Sequence, residues 1–530
     1  MEREKNNPQI RRLFDDCQRA WAVNEENLME ILRKNKDTEY GKAYGFGQMD
    51  SAQAYRAAVP LTEYDTYRDL AKNPQRFTSE PICCILTTSG TTGQQKEIPI
   101  SHTSLERYGP YLHDMIYYLV GGRQGLHLHT SIFRPAVNGR MLMSSAYYRY
   151  LREAGFLDVS TYLGGEDLMF CEHIDHVAYV KLWLALGCAD LVSIQSIFLY
   201  DVLILFSYLE ENWRMLLHDL RTGTFSVPIE PWVQERLLRH RASDRRMDEL
   251  EQILADGFET PIARRLWPDL RVVVGNGSKV FALQIAALRR YTGGLPLEYY
   301  SYGLSECLPG IPTALESEDF TLLPRDAFYE FVDGTGRIVQ EQELEIGKIY
   351  ELVLTTFSGL YRYRTQDLLE IIGFHGQAPV FHLMGRRGYL LNVAGEKVDD
   401  ATARAAVAQW AAEEKLRVLD CSMGIDSTQY PCRYCLFAET EEPCDERLAS
   451  KEELEGRFDV VLGALSPDYE DVRRLGLLNP PRVFLVKKGW IGRFLTKDDR
   501  GTAHTKPHLF LSQIQTAELI GGCEADSENV

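Results

Sequence analysis

Positive charge is scarce in this chain: 58 Lys and Arg stand against 76 Asp and Glu in 530 residues, a net charge of -18. That balance argues against a nucleic-acid-binding surface, because a grip on a phosphate backbone needs clustered Lys and Arg. Long uncharged apolar runs are lacking too. Asp190 and Asp201 interrupt the most apolar stretch, Leu182 to Leu209, which never reaches the ~20 residues that span a bilayer, so no membrane insertion is expected. The opening Met1-Glu2-Arg3-Glu4-Lys5-Asn6-Asn7 has no apolar core, and no secretory signal is expected from it. Repeats and low-complexity stretches are not evident. The 11 cysteines are scattered and odd in number, which suits reduced cytoplasmic thiols better than a disulfide framework. Cys432-Arg433-Tyr434-Cys435 has no second pair at zinc spacing, so a structural role is expected.

What is present is a soluble globular composition, 45% apolar and 25% charged, in a chain too long for one ordinary core. Within Leu182 to Leu209, Leu191, Ile194, Phe198 and Val202 recur at helical spacing, and a buried helix is expected there. The most specific segment reads Thr87-Thr88-Ser89-Gly90-Thr91-Thr92-Gly93-Gln94-Gln95-Lys96-Glu97-Ile98-Pro99. Glycines let backbone N–H groups turn inward as an anion nest, and hydroxyls add donors for phosphate oxygens. Lys96 adds a point charge within reach of the same group. Ile82 to Leu86 upstream suits a buried strand, and Thr103-Ser104-Leu105-Glu106 downstream has the form of a capping box opening a helix. Strand, loop, helix is the expected order. A Walker loop is excluded, since Lys96 precedes Glu97 rather than Ser or Thr. The loop points to ATP.

The Ser-Gly-Thr-Thr-Gly-x-x-Lys core resembles the phosphate loop of adenylate-forming enzymes. Its ending, Lys96-Glu97-Ile98-Pro99, resembles one branch, the Gretchen Hagen family of acyl acid amido synthetases. Tyr302-Gly303-Leu304-Ser305-Glu306 is similar to a second superfamily motif, Tyr-Gly-x-Thr-Glu. An aromatic there can stack on adenine, Gly303 admits close backbone approach and Ser305 can donate to the α-phosphate. Glu306 offers hard oxygen to a Mg²⁺ shared with substrate phosphates. Before it, the apolar run Val272-Val273-Val274 leads into Gly275-Asn276-Gly277-Ser278. The resemblance places such a Gly-Ser turn near the adenine and the acyl group. In the third motif, Tyr361-Arg362-Tyr363-Arg364-Thr365-Gln366-Asp367, Asp367 suits ribose hydroxyls because an ionised carboxylate only accepts. Related enzymes carry Gly where this chain has Gln366. Arg386 resembles an Arg near ribose or phosphate at the family's hinge.

The resemblance implies an α/β fold: a large adenylate-forming domain with mixed sheets and helices, residues 1–390, then a small mobile α+β domain, 391–530. The hinge is expected near 386–395. After Lys397, a helix from Ala401 to Trp410, strands near Tyr434–Glu439 and Val483–Lys487, and a helix around Leu454–Leu465 are expected, with a frayed acidic tail from Glu524. The implied cofactors are ATP and Mg²⁺, and the implied partners a small carboxylic acid and an amine or amino acid. Lys397, and next Lys506, are the candidates to meet the α-phosphate and the acyl oxygen. Transfer to CoA or a carrier protein, or a dead nucleotide-binding regulator, are the alternatives.

Overall fold

The computed structural model describes residues 7–87, 96–119, 125–276, 282–386, 390–391, 393, 396, 398–428, 431–441, 450–474, 478–495, 509–511 and 513–527. The chain divides into two compact units: among the described residues the larger holds the positions up to Met384 except 282–287, and the smaller holds 282–287 together with those from Gly385 on.

In the larger unit, helix Pro8–Gln18 starts under an Asn7 cap, whose Oδ1 accepts from Gln9 N at 2.8 Å. It buries Ile10, Leu13 and Cys17 on one face. The first sheet begins with β1 (Ile82–Thr87), which pairs antiparallel with β2 (Glu97–Ser101), Thr87 opposite Glu97. The expected order of strand, loop and helix is therefore corrected, because a second strand intervenes before helix His102–Leu119. Ile98 and Ile100 are fully buried, and β2 lies at the sheet edge, where Pro99 costs no ladder bond. The capping box is displaced as well. Ser101 Oγ accepts from Ser104 N at 3.2 Å, while Thr103 lies in the first turn and its hydroxyl donates to Glu80 at 2.6 Å.

A second, parallel sheet opens with β3 (Leu126–His129), while β4 (Arg140–Met141) returns parallel to β1. The parallel sheet runs β3, β5 (Leu191–Phe198), β6 (Val272–Asn276), β7 (Leu297–Glu298). Here the expectation of one buried helix over Leu182–Leu209 fails. Helix Val177–Gly187 stops before β5, and a new helix, Leu199–Thr222, begins after it. A strand covered on both faces buries polar and apolar residues alike, here Ser193, Gln195 and Ser196 among Leu191, Val192 and Ile194, so spacing does not mark it as a strand.

The third sheet has seven strands: β8 (Gly310–Ile311), β9 (Phe320–Leu322), β10 (Phe328–Val332), β11 (Ile338–Val339), β12 (Ile349–Thr355), β13 (Tyr363–His375) and β14 (Ala378–Arg386). Its order is β11-β10-β12-β13-β14-β9-β8. An aromatic core anchors the N-terminal segments to it: Tyr40 stacks on Tyr361 at 4.6 Å, and Tyr55 meets Phe328 edge-on. Beneath them the Arg362 guanidinium clamps Glu330 at 2.9 and 3.0 Å and donates to the carbonyls of Arg56 and Val59.

In the smaller unit β15 (Leu390–Leu391) pairs with β16 (Val398–Asp399), followed by helix Asp400–Glu413. A three-stranded sheet joins β17 (Val418–Asp426) antiparallel to β18 (Arg433–Thr440), and β18 parallel to β19 (Asn479–Lys487). Trp410, Tyr434, Phe458 and Leu462 form its core, and Trp410 Nε1 donates to Leu454 O at 3.1 Å. The expected helices and strands at 401–410, 434–439, 454–465 and 483–487 all appear. Cys435 is buried in β18 and free, which agrees with a structural role. The tail differs from expectation, since helix Gln513–Ser527 carries it past Glu524. Among the described residues, no helix is long and apolar enough to cross a membrane.

Candidate active site

The expected phosphate loop joins β1 to β2. Its residues Thr88, Ser89, Gly90, Thr91, Thr92 and Gly93 lie outside the described residues, as do Gly277, Ser278, Lys397 and Lys506. Arg386 ends β14, and its side chain is likewise outside them. The remaining candidates, Lys96, Tyr302, Gly303, Ser305, Glu306 and Asp367, all belong to the larger unit.

Lys96 stands at the start of β2 between two tyrosines. Its Nζ donates to the Tyr363 hydroxyl at 3.0 Å and lies 5.4 Å and 5.7 Å from the ring centroids of Tyr64 and Tyr363. Each such cation–ring contact is worth about 0.5–1 kcal/mol at a partly exposed site. Tyr64 also binds the strand itself, its hydroxyl accepting from Glu97 N at 2.8 Å. Glu97 in turn pairs with Arg140 of β4. Lysine, tyrosines and strand hold one another, so the ammonium has a fixed origin at the base of the hydroxyl-rich loop.

Tyr363 opens β13, and Asp367 follows four residues on. Between them the pairing with β12 slips: Val353 faces Arg364, but Glu351 faces Leu368. Thr365, Gln366 and Asp367 therefore bulge opposite Leu352. Thr365 Oγ1 donates to Leu352 O at 2.8 Å and accepts from Asp367 N at 3.0 Å, which stitches the bulge together. Gln366 sits at φ +66°, in the left-handed region. That geometry explains why glycine is usual at this position in related enzymes and what the glutamine costs here. The bulge survives the substitution, and Asp367 is buried, at 7% exposure.

Asp367 Oδ2 accepts from the Tyr302 hydroxyl at 2.7 Å. Tyr302 is buried, and its ring meets Phe381 edge-on at 5.6 Å. Its backbone exchanges hydrogen bonds with Gly310, at 2.9 and 3.2 Å, which closes the loop between them. Within that loop Gly303 is exposed and Ser305 half-buried. Glu306 is only 5% exposed, yet it receives no hydrogen bond and forms no ion pair among the described residues. A carboxylate that no protein donor occupies keeps its oxygens open to a cation. Its hard oxygens and burial fit a Mg²⁺ ion.

Sequence reasoning missed three groups that hold this loop. Asp326, fully buried, accepts from Leu308 N at 2.6 Å; burial pushes its carboxyl up to about 7. Asn276, at the end of β6, accepts from Ser301 N at 3.2 Å. Gly275 before it is required by contact, since a Cβ there would lie 2.8 Å from Leu199 N. The third is a buried polar layer behind Tyr300. Gln195 Oε1 accepts from Tyr162 and Tyr300 at 3.2 and 3.4 Å, and its amide donates to Ser193 at 3.0 Å. The Tyr148 hydroxyl contacts Tyr300 and shares a 3.2 Å hydrogen bond with His129 Nε2. The layer sits toward the carboxyl ends of the parallel strands, where α/β sheets bind ligands. Only the pairing of distant strands assembles it, so no local sequence signal marks it.

Three stretches of the chain match domains of one family: residues 9–297 the GH3 family N-terminal domain, 320–386 its central domain and 401–509 its C-terminal domain. Indole-3-acetic acid-amido synthetase GH3.2 of Arabidopsis thaliana is 28% identical over 464 residues, covering 79% of this chain and 84% of that protein. The solved structure of AtGH3.15 acyl acid amido synthetase in complex with 2,4-DB shares the fold, with a TM-score of 0.84 at 23% identity over 97% of this chain and 95% of that one. A 2-hydroxyisobutyryl-CoA ligase in the postadenylation state shares it more distantly, with a TM-score of 0.54 at 13% identity, 98% and 91% covered. The N-terminal match alone spans more than half of the residues, and this chain belongs to the GH3 family.

Proposed function

We propose that this chain is an acyl acid amido synthetase, which activates a carboxylic acid with ATP and joins it to an amine, most naturally that of an amino acid. One observation carries the reading. Lys96 bonds to Tyr363 across 267 positions, and Tyr302 bonds to Asp367, so members of three separate motifs converge on the start of β13. Gln366 sits at φ +66° with Asp367 still bonded to Tyr302, which supports a working site over a dead nucleotide-binding regulator.

The chemistry follows from what a carboxylate lacks. It does not acylate an amine at neutral pH, because oxide is too poor a leaving group. Attack of a carboxylate oxygen on the α-phosphorus expels pyrophosphate and leaves a mixed anhydride whose leaving group is AMP. The amine nitrogen then attacks the acyl carbon; AMP departs with the bonding pair and the nitrogen loses a proton.

In this scheme Thr88 to Gly93 and Lys96 receive the β,γ-phosphates. Gly277 and Ser278 lie by the adenine, with Tyr302 holding Asp367 toward the ribose. Ser305 donates to the α-phosphate, and Arg386 serves ribose or phosphate at the hinge. Lys397, or failing it Lys506, meets the charge developing on the α-phosphate and acyl oxygen. Glu306 would hold Mg²⁺, which when bound offsets negative charge on the phosphates. The parting of the two compact units at Gly385 supports a hinge over 386–395 between domains 1–390 and 391–530. The 11 scattered cysteines, odd in number, support a cytoplasmic setting.

Pyrophosphate release from MgATP, measured against aryl, indolyl and aliphatic acids with and without mixed amino acids, tests the reading. Acid-dependent release with a conjugate at the summed mass less water is expected. Acyl-AMP alone, or turnover only with CoA or a carrier protein, would replace amide synthesis by the corresponding transfer.

A further inference from the structure

Cys83 and Cys84 are the one adjacent cysteine pair in the chain, and the activity just described uses neither. They lie on β1, which leads into the hydroxyl-rich loop. In a regular strand neighbouring side chains point to opposite faces, so two adjacent thiols stay apart. This strand is not regular there. Ile82 faces Ser101 of β2, but Cys84 faces Ile100, so Cys83 is the extra residue of a β-bulge. A bulged residue is left out of the pairing and its strand bends, which lets its side chain swing toward that of its neighbour.

The surroundings are those of a reactive pair. Cys83 is exposed, and its thiol donates to the carbonyl oxygen of Ile100 at 3.1 Å. Cys84 is half-buried and packs against the main core, which leaves it less accessible. The Cys84 thiol donates to the Cys83 sulfur, which holds Cys83 below its ordinary value and drives Cys84 above it; the Glu153 carboxylate opposes the effect at Cys83. The exposed sulfur is therefore the one an incoming disulfide can reach, and the half-buried one is its neighbour at the bulge. That is the division of labour between an attacking and a resolving thiol.

We propose that Cys83 and Cys84 form a dithiol site that reacts with low-molecular-weight disulfides. The Cys83 thiolate attacks one sulfur of the disulfide, whose S–S bond breaks, and the other half leaves as a thiolate that takes up a proton. Cys84 then gives up its proton and attacks the Cys83 sulfur, which breaks the mixed disulfide and releases the second small thiol. Two protein thiols are oxidised to one disulfide, and the incoming disulfide is reduced to two thiols. The bulge makes room for this ring, because Cys83 has no partner residue in the ladder to lose.

The test uses the full chain and oxidised glutathione, followed by alkylation and peptide mass spectrometry. Wild type should yield a peptide with Cys83 and Cys84 joined, two hydrogens lighter, at a rate at least about tenfold above thiolation of the half-buried Cys523. Two variants separate the roles of Cys84. Cys84→Ser keeps a donor without a resolving sulfur, so a glutathione adduct on Cys83 should form at the wild-type rate and persist. Cys84→Ala removes both, so the adduct should form more slowly and persist. Thiolation of Cys83 no faster than that of Cys523, or an adduct that persists in wild type as it does in Cys84→Ser, would overturn the proposal. Thermal melts of each variant before oxidation confirm that the comparison is made on folded protein.

Discussion

Replacing Gln366 by glycine and by valine should move the stability of the larger unit in opposite directions. The residue sits at φ +66° in a bulge of β13 held by Thr365. An L-residue in that region costs about 1–2 kcal/mol. Glycine escapes this strain but forfeits about 0.5–1 kcal/mol in chain freedom, so Gln366→Gly should gain roughly 0.5–1 kcal/mol. Valine is worse than glutamine, since a β-branched side chain at positive φ adds about 1–2 kcal/mol more. The two variants should then differ by about 1.5–3 kcal/mol, or roughly 2–4 °C in midpoint for a unit of this size. Scanning calorimetry reads that gap. The KM for ATP supplies a second reading. Glycine should leave it near wild type, whereas a bulge distorted by valine re-aims Asp367, breaks its bond to Tyr302 and raises it. Equal midpoints for glycine and valine would refute the conformational argument. A valine variant that melts early but binds ATP normally would refute the link from bulge to Asp367.

Tyr302→Phe removes a hydrogen bond to a carboxylate, a loss of about 1.5–3 kcal/mol, and should raise the KM for ATP roughly tenfold while the KM for the acid stays put. Steady-state kinetics with each substrate varied in turn would show otherwise if Asp367 had no part in nucleotide binding. Glu306→Gln should raise the Mg²⁺ needed for half-maximal pyrophosphate release by about an order of magnitude, yet leave the ligand-free protein about as stable, because the carboxylate makes no hydrogen bond or ion pair among the described residues. A lower melting point in that variant, with unchanged Mg²⁺ dependence, would make Glu306 structural. Glu298 carries a pH signature. Burial pushes its carboxyl from about 4.5 to about 8. Between those values the folded protein holds a proton that the unfolded chain releases, so stability falls as pH rises, by about 1.4 kcal/mol per unit. Glu298→Gln should flatten the denaturant-derived stability between pH 5 and 7 by that amount, and parallel profiles would sink the assignment.

Legibility from sequence varied with the range of the interaction involved. β1, β6 and the smaller unit's elements at 401–410, 434–439, 454–465 and 483–487 were readable because a run of apolar residues and its flanking breakers are local facts. β5 was not, since Leu191–Phe198 is covered on both faces and periodicity then carries no signal. β2 was hidden by its proline, which an edge strand tolerates. Thr103 had the right neighbours for a cap, but Ser101 reached the orphan N–H first. Gln366 read from the sequence only as a departure from the family's glycine. The ladder slip between β12 and β13 gives it a backbone role instead.

The residue types by themselves determined the chemistry on offer: hydroxyls and glycines around a lysine, a tyrosine motif ending in glutamate, an aspartate able only to accept. Those properties belong to side chains and short loops, and need no fold to exist. Tertiary structure alone decided which of them meet. Lys96 reaches Tyr363, Tyr302 reaches Asp367 and Asp326 reaches Leu308 because sheets pack distant segments within hydrogen-bonding distance, and burial then sets what each contact is worth. The burial of Glu306 and the bulge that sets Cys83 beside Cys84 have the same origin. Neither burial nor a register slip can be read one residue at a time, because each is a property of the surrounding chain.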